Sequence, residues 1–226
     1  MTNHMKNIIR RIIFRARRPT VVFVCGRACF SAVKVIEKTL GRRFKIKKIV
    51  NGKLPFFWGR DDILVCEDSL INKVDYNQVG FFVKNSSPFI FVVTNFGEVS
   101  SDKDYFEGKE EDVSRIKEIV KSMPSSAFLI LNFDDGNVRR LRNETESKVL
   151  SFGFIEGSNF QVTDLKIDES GTNFKVNCLG STVPFWLEKK FGKEQIYDAL
   201  AAVCVGDAKS LNLVEVSQSL SFVDNA

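Results

Sequence analysis

Histidine is almost missing from this sequence: His4 is the only one in 226 residues. That scarcity argues against a zinc site or a histidine-based triad inside the fold, because both need imidazole as ligand or base. Cysteine is scarce too. The five, at positions 25, 29, 66, 178 and 204, are odd in number, form no CxxC pair and follow no secretory signal. Three lie within apolar strand-like or helical runs, so they read as reduced, buried thiols of a cytosolic protein. No apolar run approaches the length of a membrane span, and there is no internal repeat or low-complexity tract. Acidic residues are missing from one region in particular. Residues 1–50 carry 14 Lys/Arg and a single acid, Glu37, whereas the rest carries 19 Lys/Arg and 27 acids. The formal charge of +5 thus hides a strongly basic start on an acidic body.

What is present is material for a core. Hydrophobic residues make up 44 % of the chain, which sets wholesale disorder aside and suits one large domain or two small ones. The 21 phenylalanines read as packing, since Phe fills a core without needing a polar partner. Residues 1–18 form a unit of their own. Within MKNIIRRIIFRARR, Ile8, Ile9, Ile12, Ile13 and Phe14 fall on one side of a helix and Lys6, Arg10, Arg11, Arg15, Arg17 and Arg18 on the other. Such a helix either lies on an anionic membrane surface or packs its isoleucines on the domain and solvates its arginines. Pro19 ends it.

Strand and helix then alternate. Strands are expected at 20–25, 44–50, 62–66, 89–94 and 127–131, and helices at 29–40, 109–122 and 136–143. Runs such as FIFVV and FLIL suit strands buried on both faces. Strands joined by helical crossovers make an α/β fold, a mostly parallel sheet with helices on both faces. From 147 to 187 the runs KVLSFGF, NFQVTDLKI, TNFKVNC and STVPFWL, separated by turn residues, read as a small antiparallel insert at the edge of that sheet. Helices at about 193–206 and 213–220 close the chain.

The segment VVFVCGRACFSAVK, 21–34, has the strand–turn–helix form of a phosphate loop. Such a loop needs glycines for close backbone approach, a lysine, and a hydroxyl. Gly26 and Ser31 are present; Cys29 stands at the second glycine position and Phe30 at the lysine position.

Three further segments, PFIFVVTNFGE (88–98), the helix leading to LNFDD (131–135) and FGKEQIYDALAAVCVG (191–206), complete a pattern. In this order and spacing they resemble the central, ATP-binding domain of the Mur ligases, closest to the branch that adds D-alanyl-D-alanine to the peptidoglycan precursor. The resemblance covers roughly residues 19–222 and implies a single domain over 19–226. It implies a nucleotide and phosphate site at Gly26, Arg27, Ser31, Thr94, Asn95, Asn132 and Asp135, and a magnesium-side carboxylate at Glu67. A carboxylate at a strand end suits a hard cation. Asn and Asp at such positions also favour turns on their own account.

The departures carry the functional reading. Phe30 cannot neutralise phosphate as a lysine does. The residue after Ser31 is Ala32. The family histidine falls on Ser100, and its second, carbamylated lysine falls on Ile116, with Lys117 next to it. The family's His and both Asn near residue 195 become Glu194, Gln195 and Asp198. ATP and magnesium, which the family uses, are therefore called into question. The flanking domains of the family are not expected within this chain.

Three readings follow. In the first, the chain is a central-domain-like protein without ligase activity, a binding or scaffolding partner of another cell-wall protein. In the second, it is a divergent ATP-dependent ligase subunit completed by another chain, with Arg27 or Lys34 standing in for the lysine. In the third, residues 1–50 bind an anionic membrane or nucleic acid. The basic residues lack the interleaved aromatics of a single-strand platform, which speaks against nucleic acid. The expected location is the cytoplasm, with peripheral contact at the inner membrane face.

Overall fold

A computed structural model describes residues 3–50, 52–55, 57–59, 62–68, 76–97, 110–190 and 192–221. Helix α1 (Asn3–Arg17) precedes strand β1 (Thr20–Cys25), helix α2 (Cys29–Leu40), β2 (Ile46–Ile49) and β3 (Ile63–Asp68). Next come α3 (Tyr76–Asn85), β4 (Phe89–Val93), α4 (Glu110–Lys121), β5 (Phe128–Asn132) and α5 (Gly136–Arg140). The chain closes with β6 (Lys148–Gly153), β7 (Phe160–Asp168), β8 (Gly171–Cys178), β9 (Ser181–Glu188), α6 (Lys193–Ala208) and α7 (Leu213–Ser221).

All nine strands form one sheet in the order β2-β3-β1-β4-β5-β6-β7-β8-β9. Every pairing from β2 to β7 is parallel; β7-β8 and β8-β9 are antiparallel. The expected antiparallel insert is thus confined to the last three strands. KVLSFG, expected in a hairpin, is instead the parallel strand β6. The physical reason is its connection: α5 and the following turn carry the chain back across the sheet, as a parallel neighbour requires. Only Phe152 and Gly153 of β6 lie beside β7, at Phe160 and Gln161. The antiparallel meander therefore extends past the carboxyl ends of the parallel strands.

Side chains alternate across each strand, and two cores result. Val22, Val24, Ile63, Val65, Ile90, Val92 and Ile130 face α2, α6 and α7. Val21, Phe23, Leu64, Phe89, Phe91, Leu129 and Leu131 face a layer holding Phe14, Phe82, Ile116 and Val120. Helix α6 is buried from Ile196 through Gly206, which explains why its sequence is apolar all round. The phenylalanines do pack: Phe14 sits 5.1 Å from Phe81 and 5.6 Å from Phe82, and Phe23 meets Phe91 edge-on at 5.7 Å.

Helix α3 has no counterpart among the sequence expectations. Gly80 in its middle weakens the helical signal, but Val79, Phe82 and Val83 share one buried face. Helix α1 corrects one of the two readings of its sequence. Its isoleucines do not pack on the domain: Ile8, Ile9, Ile12 and Ile13 are exposed, and Phe14, expected on their side, lies opposite them on the helix and is the buried anchor. Arg11 and Arg15 instead lie over the Phe81 ring, at 4.3 and 5.7 Å.

Candidate functional site

The carboxyl ends of β1, β4 and β5 meet beside the first turns of α2 and α6. At the end of β1 the chain turns sharply at Gly26, with φ of 117°. No other residue type fits: a Cβ there would stand 2.2 Å from Thr94 Oγ1 and 2.8 Å from the Asn95 carbonyl oxygen. Thr94 is held by its own N–H and hydroxyl, both donated to the Cys25 carbonyl, at 2.9 and 3.2 Å. The loop thus lies tight against the end of β4.

That contact decides what the loop amides do. Arg27 N–H donates to the Asn95 carbonyl at 3.0 Å, and Ala28 N–H donates to Asn95 Oδ1 at 3.3 Å. A phosphate-binding loop turns such N–H groups toward its ligand; here they are satisfied within the protein. Asn95 is itself buried, and its side-chain NH2 donates to the Gly97 carbonyl.

The one hydroxyl of the loop is likewise engaged. Ser31 Oγ lies 3.1 Å from the Ala28 carbonyl and 3.1 Å from Asp198 Oδ1 on α6. Asp198 is 5 % exposed. Burial is the largest influence on its carboxyl and raises it; the Ser31 hydrogen bond opposes this, Glu194 adds to it and Lys190 opposes it. The result is a carboxyl pushed up to about 7. An acid therefore stands beside the loop where a phosphate would need positive or neutral donors.

Phe30, at the lysine position, is 43 % exposed and borders a small cavity with Glu37, Lys48 and Glu67. Lys48 pairs with Glu37 at 2.9 Å. Glu67, on β3, thus lies in the Phe30 cavity on the α2 side. Asn132 and Asp135 have turn-forming roles. Asn132 Oδ1 accepts from the Asp134 N–H at 3.1 Å. Asp135 caps α5, with Oδ1 accepting from Asn137 and Val138 N–H, and its Oδ2 accepts from the Phe96 N–H at 2.9 Å. It ties the β4 and β5 ends together, and burial pushes its carboxyl up despite those bonds.

The structure therefore gathers Gly26, Arg27, Ser31, Thr94 and Asn95 into one cluster, joins Asp135 to it through Phe96, and sets Glu67 to one side. Ser100 lies outside the described residues. Ile116 is buried in the core, and Lys117 pairs with Glu144 at 2.6 Å. Among the described residues no group of three or more His, Cys, Asp or Glu is placed to hold a metal ion.

Sequence reasoning missed the group around Asp134. Its carboxylate accepts from the Phe154 and Ile155 N–H groups and from the Tyr197 hydroxyl, the last at 2.9 Å. Tyr197 stands edge-on to Phe154 at 5.7 Å, and Lys193 lies 5.8 Å over that ring. The first Asp of LNFDD was the available signal. Taken together, the described residues do not fit a triphosphate with its metal ion: the Arg27 and Ala28 amides face Asn95, Phe30 brings no charge, and a carboxylate stands by the Ser31 hydroxyl.

A family model of the Mur ligase middle domain matches residues 30–206. Among curated relatives, the UDP-N-acetylmuramate–L-alanine ligase of a Sulfurihydrogenibium species is 26 % identical over 209 residues, covering 87 % of this chain and 41 % of that protein. The same-named ligase of Alkaliphilus metalliredigens is 26 % identical over 135 residues, covering 59 % of this chain and 29 % of that protein. In fold, the chain is similar to MurF from Acinetobacter baumannii, with a TM-score of 0.74 at 16 % identity, covering 96 % of this chain and 48 % of that one. It is also similar to MurF ligase from Thermotoga maritima in complex with ADP, with a TM-score of 0.71 at 17 % identity, covering 100 % and 54 %. The chain thus spans less than half the length of these curated relatives and about half that of these solved structures. Because the match runs through most of the sheet and both helical layers, the chain belongs to the Mur ligase middle domain family.

Proposed function

We propose that this chain is a Mur-type middle domain without phosphoryl-transfer activity, serving as a binding or scaffolding partner of a protein in cell-wall precursor synthesis. The hydrogen bonding of the loop carries this reading. The Arg27 and Ala28 amides are committed to Asn95, so a phosphate would have to displace two internal bonds before gaining its own. Phe30 supplies no compensating charge, and the buried Asp198 carboxyl opposes an anion whenever it is ionised. The architecture meanwhile stays intact, with a continuous core on each face of the sheet. A domain that keeps its packing and sets aside its phosphate chemistry is suited to holding a partner. The resemblance to curated relatives named as UDP-N-acetylmuramate–L-alanine ligases supports choosing that partner from cell-wall precursor synthesis.

Isothermal titration with ATP and magnesium tests the reading. No binding heat is expected up to about 1 mM nucleotide, the upper end of ordinary KM values. Micromolar binding accompanied by ADP release would overturn it.

A further inference from the structure

Helix α1 is amphipathic in the reverse of the usual sense: its apolar side faces outward. At 100° per residue, Met5, Ile8, Ile9, Ile12, Ile13 and Ala16 share one arc, and Phe14 lies opposite it. Ile8 is 47 % and Ile12 59 % exposed, whereas Phe14 is fully buried. The helix is held in this orientation from beneath. Phe14 packs on Trp58, Phe81 and Phe82. Arg17 donates through Nη1 to the Trp58 carbonyl, and Arg11 and Arg15 cover Phe81. A surface helix of a globular protein normally turns its isoleucines inward, so this outward stripe calls for an occupant.

The surroundings identify that occupant by charge. Cations flank the stripe on both sides, Arg11 and Arg15 on one and Lys6, Arg10 and Arg17 on the other. No acid occurs in the chain before Glu37. Beside α1, a cleft shared with α3 and α4 is lined by three cations, Arg11, Arg15 and Lys84, next to the apolar stripe, and by Tyr76 and Ser122, whose hydroxyls are bonded to the Glu118 carboxylate and the Ile119 carbonyl. A second copy of the chain would bring the same cations against these, which repel. No helix among the described residues is long and apolar enough to cross a membrane, so contact with a bilayer would be lateral.

We propose that α1 and the adjoining cleft form a docking face for an anionic phospholipid surface. The isoleucine stripe enters the boundary between headgroups and acyl chains, the flanking cations reach outward to lipid phosphates, and Arg11, Arg15 and Lys84 receive a headgroup phosphate in the cleft. None of Gly26, Ser31, Thr94, Asn95 or Asp198 takes part, so this face works independently of the loop.

Flotation of the full chain with vesicles provides the test. Binding to vesicles of phosphatidylcholine mixed with phosphatidylglycerol should exceed binding to phosphatidylcholine alone by at least about tenfold, and should weaken as salt rises. The double variant Ile8→Asp/Ile12→Asp, altered only at outward-facing positions, should keep the native circular dichroism spectrum and lose at least about tenfold in binding. Arg11→Gln/Arg15→Gln should remove most of the preference for the anionic lipid. Three results would each overturn the proposal: no binding to either vesicle, equal binding to both, or anionic binding unchanged in the isoleucine variant. Sedimentation equilibrium showing a dimer that the isoleucine variant disperses would also overturn it and assign the stripe to a second copy.

Discussion

Replacing Asp198 by asparagine should stabilise the protein, and only above acidic pH. The carboxyl is pushed up from an ordinary 3.8 to about 7, chiefly by burial. The folded chain therefore keeps a proton that the unfolded chain has already released between those values. Stability from this group is fully present at about pH 4, declines as pH rises toward 7, and stays low above it. At about 1.4 kcal/mol per pH unit the gap corresponds to an upper bound of about 4 kcal/mol. Asparagine carries no charge, and its Oδ1 can still accept from Ser31. Its NH2 group needs a partner in the same buried place, which offsets about 1 to 2 kcal/mol. The expected net gain for Asp198→Asn is about 2 to 3 kcal/mol at about pH 8, shrinking to nothing or reversing slightly at about pH 4. Urea denaturation of both proteins at several pH values measures it. A difference that does not change with pH, or an asparagine variant less stable at pH 8, would refute the argument that a buried carboxyl strains the site.

Two further outcomes follow from the packing. Gly26→Ala should cost about 2 to 4 kcal/mol in urea denaturation, because a Cβ would meet Thr94 Oγ1 at 2.2 Å on a backbone with φ of 117°; a loss under about 1 kcal/mol would show that the β4 end yields easily. In iodoacetamide labelling of the native protein at about pH 8, Cys178 should react first, since it is only half-buried. Cys66, pushed up to about 12 mainly by burial, and the fully enclosed Cys204 should be modified only on unfolding. Mass spectrometry of the labelled peptides decides, and equal rates at Cys66 and Cys178 would contradict the assigned burial.

Much of the framework was legible from pattern. TVVFVC, FIFVV and FLILN are strands because continuous β-branched and aromatic runs suit a sheet covered on both faces. The glycine at the β1 turn was readable for the same local reason. Less was legible wherever two elements compete for one side chain. KVLSFG carries the same apolar signal whether its neighbour runs parallel or antiparallel, so its direction depended on the crossover before it. Gly80 masked α3 because helix propensity is a local quantity, whereas Val79, Phe82 and Val83 gain their burial from distant β-strands and helices.

The site divides in the same way. That position 30 carries a phenyl ring without charge, and position 29 a cysteine, follows from residue identity alone. Which group the Arg27 and Ala28 amides find does not, since Asn95 is more than sixty positions away in the chain and reaches them only when β4 pairs with β1. The charge of Asp198 is readable from the sequence; its burial against Ser31, and hence its raised pKa, is not. In α1 the sequence alone determined that one side is apolar and the other basic. Only the tertiary structure decided which side faces the protein, because Phe14 finds Phe81 and Phe82 beneath the helix and the Phe81 ring offers the arginines a surface to cover.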